Sequence, residues 1–145
     1  RYHGNLQYAP MTLDRWYNLN VLDIQIGGHS LGLPPFVYGT TNDVIGSFVD
    51  SGTSVILMNM LAFDAFSETF VTPCVLERKV QPQLANFPNV TFVIGSEDPS
   101  TPLYLPVPPS SYLIPSAGVY CLGVGGIPSV GGDGRRLHGE LLHRS

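Results

Sequence analysis

Charge is scarce in this chain. Lys, Arg, Asp and Glu supply 12% of its 145 residues, about half the share usual in a globular domain. Seven basic side chains stand against eleven acidic ones, a net charge of −4. A phosphate-binding face needs clustered basic residues, and the largest group (Arg135, Arg136, Arg144) is three side chains in the last dozen positions, which argues against a nucleic-acid partner. Long apolar runs are missing too. None exceeds four residues, as at Val55 to Met58, far short of the roughly 20 that span a bilayer as a helix. The chain opens on Arg1 with no leader-like stretch behind it, and reads as a piece of a longer protein. Cysteine is limited to Cys74 and Cys121, in no CxxC spacing and with no nearby His to complete a zinc motif, so neither a metal nor another cofactor is expected. The two read as one disulfide, stabilising by about 4 kcal/mol in an oxidising compartment. Asn89-Val90-Thr91, an N-x-T glycosylation sequon, points to the same compartment.

What is plentiful is punctuation. Sixteen Gly and 13 Pro interrupt short apolar runs without any period, the pattern of many short strands. Leu19 to Gly28 predicts a half-buried strand that ends in a glycine turn, with Leu22, Ile24 and Ile26 on one face and Asp23 and Gln25 on the other. Asn59 is placed to cap a helix over about 59–71, because Phe63, Phe66 and Phe70 recur at helical spacing with Asp64 and Glu68 between them. Val90, Phe92 and Ile94 alternate, as do Leu103, Leu105 and Val107, and Glu97 and Asp98 in the turn-rich stretch between them predict a hairpin. Gly118 to Val124 reads as one more strand. Trp16, Tyr17, Phe63, Phe66 and Phe70 are expected in the core; His3, His29, His138 and His143 show no ligand spacing and are expected at the surface.

The tetrad Asp50-Ser51-Gly52-Thr53 carries the chemistry. As D-S-G alone it is an ordinary tight turn. Its flanks, F-V before and S-V-I-L-M after, look like buried strands, and a carboxylate at the end of a buried strand must be held by donors or shift its pKa. Gly52 lets the backbone N–H approach the carboxylate, and Thr53 and Ser51 bring hydroxyls.

With those residues in view the chain resembles the pepsin-like aspartic proteases, and in particular their C-terminal lobe. F-V-D-S-G-T-S-V-I-L is similar to that family's second active-site loop, and R-W-Y-N-L-N-V-L-D-I-Q-I-G-G to the strands opening the lobe. F-P-N-V-T-F-V-I, L-P-V-P-P-S-S-Y-L and Y-C-L-G-V resemble its later strands, in order, so that the likeness runs over about residues 1–132. The resemblance implies a mostly β fold, one lobe of a bilobal acid protease built of antiparallel sheets with one or two short helices. Residues 1–15 would be the lobe-connecting segment. It implies an aspartic endopeptidase, a hydrolase of peptide or protein substrates, in which Asp50 is one of two catalytic aspartates. Ser51 would tie the loop toward the other lobe, Gly52 and Thr53 would hydrogen-bond the carboxylate, Ser54 would contact substrate backbone, and Phe48 would face the pocket beyond the scissile bond. Cys74 and Cys121 stand where the family has a disulfide, and a secretory, lysosomal, vacuolar or extracellular location follows.

The pattern also breaks. No second D-T-G or D-S-G occurs, so the other catalytic aspartate must come from an N-terminal lobe, and this chain alone is expected to be inactive. A homodimer with one aspartate per subunit is the other way to complete the pair, although no flap candidate is present. A catalytically dead binding or inhibitor module, or a remnant without activity, would keep the fold and abandon the chemistry. Residues 133–145 depart from the family and are expected to lie outside the fold. They read either as a natural basic tail or as an out-of-frame product: permitted codons for Gly132 to Arg144, read one base later, yield V-M-G-D-A-F-M-E-N-F-Y-T.

Overall fold

A computed structural model describes residues 6–13, 16–39, 46–68 and 87–127, together with the backbone of 74–76. The first sheet begins with β1 (Val21–Ile26) and β2 (His29–Ser30), joined by Gly27 and Gly28. Both glycines take positive φ, 58° and 84°, as the tight hairpin turn that matches strand twist demands. β5 (Val90–Ile94) and β6 (Leu103–Val107) form the expected hairpin, with Asp98 in its turn accepting from Ser100, and the strand order is β2-β1-β5-β6. One expectation shifts within β1. Val21, not Leu22, is buried beside Ile24 and Ile26, because the register with β5 slips between Val21 and Asp23 and the bulge exchanges the faces at the start of the strand.

The chain then makes a 3-10 turn (Pro35–Val37), and a parallel pair forms from β3 (Ile56–Asn59) and β9 (Val124–Ile127). Between them in sequence lies α1 (Met60–Ser67). Asn59 caps it: the side-chain oxygen accepts from the Ala62 N–H at 2.9 Å while the amide donates to the Val37 carbonyl. Ala62 and Phe66 turn inward one helical turn apart, Phe63 is half-buried, and Asp64 and Glu68 face water. Phe70 lies outside the described residues. A third sheet, β4-β8-β7, consists of β4 (Cys74–Leu76), β8 (Val119–Leu122) and β7 (Leu113–Ser116), the last following the short α2 (Pro109–Tyr112). Its β7–β8 turn places Ala117 at φ 46° and Gly118 at φ 79°.

The predicted single strand from Gly118 to Val124 is instead two. β8 and β9 belong to different sheets, and the break falls at Gly123, whose N–H donates to the Tyr112 carbonyl at 2.7 Å and whose carbonyl accepts from the Ile56 N–H at 2.9 Å. A Cβ there would stand 2.5 Å from Ile114 Cδ1 and 3.2 Å from the Tyr112 oxygen. A larger residue would have to displace the Ile114 side chain and press on the Tyr112 carbonyl.

The core gathers Val21, Ile24, Ile26 and Val90 of the first sheet with Tyr38, Met58, Phe66, Tyr112, Leu113 and Val124. Phe63 and Phe66 meet the expected inward placement, but Trp16 and Tyr17 are 53% and 72% exposed. They sit on a segment that touches 47–49 through one isolated bridge, Asn18 to Phe48, so no sheet carries them inward. Trp16 packs on Phe48 instead, ring centroids 6.1 Å apart, and the residue buried there is polar Asn18, at 0% exposure. His29 is exposed, as expected; the other three histidines lie outside the described residues. Among the described residues no helix is long and apolar enough to cross a membrane.

Tyr112 is fully enclosed and its hydroxyl donates to the Pro88 carbonyl at 2.6 Å. Burial pushes this phenol up from 10.0 to about 12. Burial, then the negative charge of Asp23, does the same for Tyr38, also to about 12. The fold therefore favours both neutral phenols, a contribution complete below pH 10 and lost as pH rises toward about 12. Tyr112→Phe should lower the unfolding free energy by about 1 kcal/mol at neutral pH, through the lost hydrogen bond. The same variant should lose less stability than the parent on going to high pH, as read by denaturant titrations across the range. Phe66→Ala should cost about 3–5 kcal/mol in the same assay, the usual range for emptying a fully buried phenylalanine site.

Candidate active site

Asp50 is delivered by backbone pairing on one side and by a strand on the other. Upstream, the Leu19 N–H donates to the Ser47 carbonyl at 2.9 Å and the Val49 N–H to the Tyr17 carbonyl at 3.0 Å. Ser47 Oγ donates to the Tyr38 carbonyl at 2.9 Å, so residues 46–49 are tied to two other segments. Downstream, β3 begins at Ile56 and buries Met58. The loop itself is exposed, and so are the flanks expected to be buried: Phe48 is 44% and Val49 57% exposed, with Val55 and Leu57 similar. The physical reason is the pairing. The upstream flank has one bridge in place of a ladder, and Val55, just ahead of β3, and Leu57 within it have no described layer over them.

Within the loop the carboxylate is held as the residue types foretell. The Gly52 N–H donates to Asp50 Oδ1 at 2.8 Å, and the Thr53 hydroxyl donates to Oδ2 at 2.5 Å. A Cβ on Gly52 would come to 3.2 Å from Oδ1, tight against the oxygen its N–H must reach. The Thr53 hydroxyl first, and the Gly52 N–H second, hold the Asp50 carboxyl below its ordinary value of 3.8. Among the described residues the charged form is thus favoured by hydrogen bonding and by no neighbouring cation.

The loop rims an apolar cleft of about 820 Å³ that runs between the first sheet and β3. Ile24, Phe92, Ile94 and Leu105 line one wall; Ile56 and Leu57 line the other. Asp50, Thr53, Ser54 and Phe48 all border it, which brings four of the sequence-predicted site residues together. Ser51 is exposed and its hydroxyl forms no hydrogen bond with the described residues. Cys74 and Cys121 stand elsewhere, opposite each other in the β4–β8 register, in line with the expected bridge. Sequence reasoning missed the support: Asn18, Tyr38 and Ser47 anchor the segment that leads to Asp50, and isolated polar residues carry no signal that would have marked them.

The family model described as eukaryotic aspartyl protease matches residues 1–127. The chain belongs to the eukaryotic aspartyl protease family. Among curated proteins, gastricsin of Callithrix jacchus is 25% identical over 133 residues, covering 85% of this chain and 29% of that protein. Pepsin B of Canis lupus familiaris is 25% identical over 155 residues, covering 99% of the chain and 35% of that protein. Beta-secretase of Strongylocentrotus purpuratus is 35% identical over a shorter stretch of 66 residues, 46% of the chain and 12% of that protein. The chain therefore spans about a third, or less, of the length of these aspartyl proteases. The mostly antiparallel sheets and two short helices agree with a pepsin-like lobe, as the resemblance implies.

Thr53→Val removes the main cause of the lowered Asp50 carboxyl and should raise its pKa, while Thr53→Ser should leave it low; carboxyl-carbon NMR titration reads both. Because the fold depresses this group, any stability it lends is present above its unfolded value of 3.8 and lost as pH falls below it. Thr53→Val should accordingly lower stability at pH values above 3.8 and shrink the loss on acidification, so that parent and variant converge in acid.

Proposed function

We propose that this chain is the lobe of an aspartic endopeptidase that supplies its second catalytic aspartate, Asp50. The observation that carries the reading is the carboxylate itself: two donors in the D-S-G-T loop hold it charged and exposed at the rim of an apolar cleft. An exposed carboxylate with its unshared face open is poised to share a proton with a second one brought opposite. Two carboxylates at hydrogen-bonding distance cannot both ionise, so the pair holds one proton and titrates as a unit. The ionised member takes a proton from a water as that water attacks the peptide carbonyl, and the protonated member delivers its proton in turn, toward the leaving nitrogen as the bond breaks.

In this reading Gly52 and Thr53 keep Asp50 oriented, Ser51 reaches from its exposed position toward the other lobe, and Ser54 meets the substrate backbone. Phe48 borders the pocket on the far side of the scissile bond. Exposed Phe48, Val49, Val55 and Leu57 form the apolar border that a second lobe and a peptide would cover. The other aspartate comes from an N-terminal lobe, without which the chain is inactive. Cys74 and Cys121 form a disulfide within this lobe, which fits a protein of the secretory pathway or the lysosome or vacuole. The tail from 133 onward, expected to lie outside the fold, is beyond the described residues.

Cleavage of an unstructured protein at acid pH tests the reading. The full-length protein should be active and blocked by a transition-state-mimicking aspartic protease inhibitor, Asp50→Asn should lower the rate by on the order of 10²–10⁴-fold, and this chain alone should give none. Undiminished cleavage by the Asp50→Asn protein would remove Asp50 from the mechanism, and inhibitable cleavage by the isolated chain would remove the need for another lobe.

A further inference from the structure

We propose that Asn89 carries an N-linked oligosaccharide on the face of the first sheet turned away from Asp50. Asn89-Val90-Thr91 is the one N-x-S/T triplet in the chain, and the fold separates its backbone from its side chain in a way that suits modification. The backbone is pinned: the Pro88 carbonyl accepts the Tyr112 hydroxyl at 2.6 Å and the Asn89 carbonyl accepts the Gly27 N–H at 2.9 Å. The Asn89 side chain is exposed and makes no hydrogen bond with the described residues. Asn18 and Asn59, by contrast, commit their amides to the fold.

Strand alternation settles the side. Val90, Phe92 and Ile94 face the core and cleft, so Thr91 points to the opposite face with its partners Gln25 and Pro106; on that face Val93 is buried, while Asn89, at the strand's other end, is exposed. Asn89 shares that parity and stands at the end of β1 and β5 remote from residues 19 and 47, which anchor the Asp50 loop. A glycan there lies over polar Asp23, Gln25 and Thr91 and leaves the cleft open. The facing register of Cys74 and Cys121 supplies a separate sign of an oxidising, secretory route.

The donor is a lipid-diphosphate-linked oligosaccharide. The Asn89 side-chain nitrogen bonds to the anomeric carbon of the first sugar as that carbon's bond to the diphosphate oxygen breaks. One amide proton passes to a base of the transferase, and the lipid diphosphate leaves.

The test is expression of the full chain behind a secretion leader in eukaryotic cells, with cells and medium analysed together so that retained protein is counted. Leader-cleaved protein should run as a form that peptide N-glycosidase shifts in a single step, leaving an aspartate in place of the modified asparagine in the 87–94 peptide. Asn89→Gln and Thr91→Val should each abolish the shift, and the second keeps a β-branched residue in the strand. Leader-cleaved protein with the unmodified polypeptide mass, in cells that glycosylate a control protein, would overturn the proposal, as would a shift that survives both substitutions.

Discussion

The structure turns on one crossing of the backbone. At Gly123 the chain leaves the β4-β8-β7 sheet and enters the parallel pair with β3, and its two peptide groups bond one to each side, to Tyr112 and to Ile56. A side chain there would overlap Ile114 and crowd the Tyr112 carbonyl. Because Ile56 opens the strand that follows the D-S-G-T loop, the geometry of Asp50 is referred through this glycine to the strand that carries Cys121. Asp50 and Cys121, far apart in sequence, are thus linked along one hydrogen-bonded backbone path.

The loop inverts the usual economy of a buried site. Its carboxylate is kept charged by two short-range donors within three residues, while everything longer in range serves only to hold the loop's ends. Asn18, the fully buried polar residue of the core, and Ser47 do that work upstream, and β3 with its helix cap at Asn59 does it downstream. The apolar rim around the loop is left exposed as well, so the carboxylate is not sealed by the residues that flank it.

Much of this was legible in the sequence. Alternation placed the β5–β6 hairpin, Gly27-Gly28 the turn after β1, and Asn59 the start of α1, because each is a local pattern with a local cause. The donors to Asp50 could be named for the same reason, as Gly52 and Thr53 lie within three residues of it. What escaped was set by pairing across distance. The bulge that exchanges Leu22 for Val21 depends on the register with β5, the outward turn of Trp16 and Tyr17 depends on a single bridge to Phe48, and the division of 118–124 into two strands depends on steric room beside Ile114.

The parallel pairing of Ile56 with Val124 joins residues separated by nearly half the chain, and contacts of that span close slowly because their loop entropy must be overcome before they are rewarded. The hairpins β1–β2, β5–β6 and β7–β8 need no such search. During synthesis β3 therefore waits, unpaired along this edge, until β9 has left the ribosome. The downstream support of the Asp50 loop is therefore among the last contacts to form, after the local hairpins.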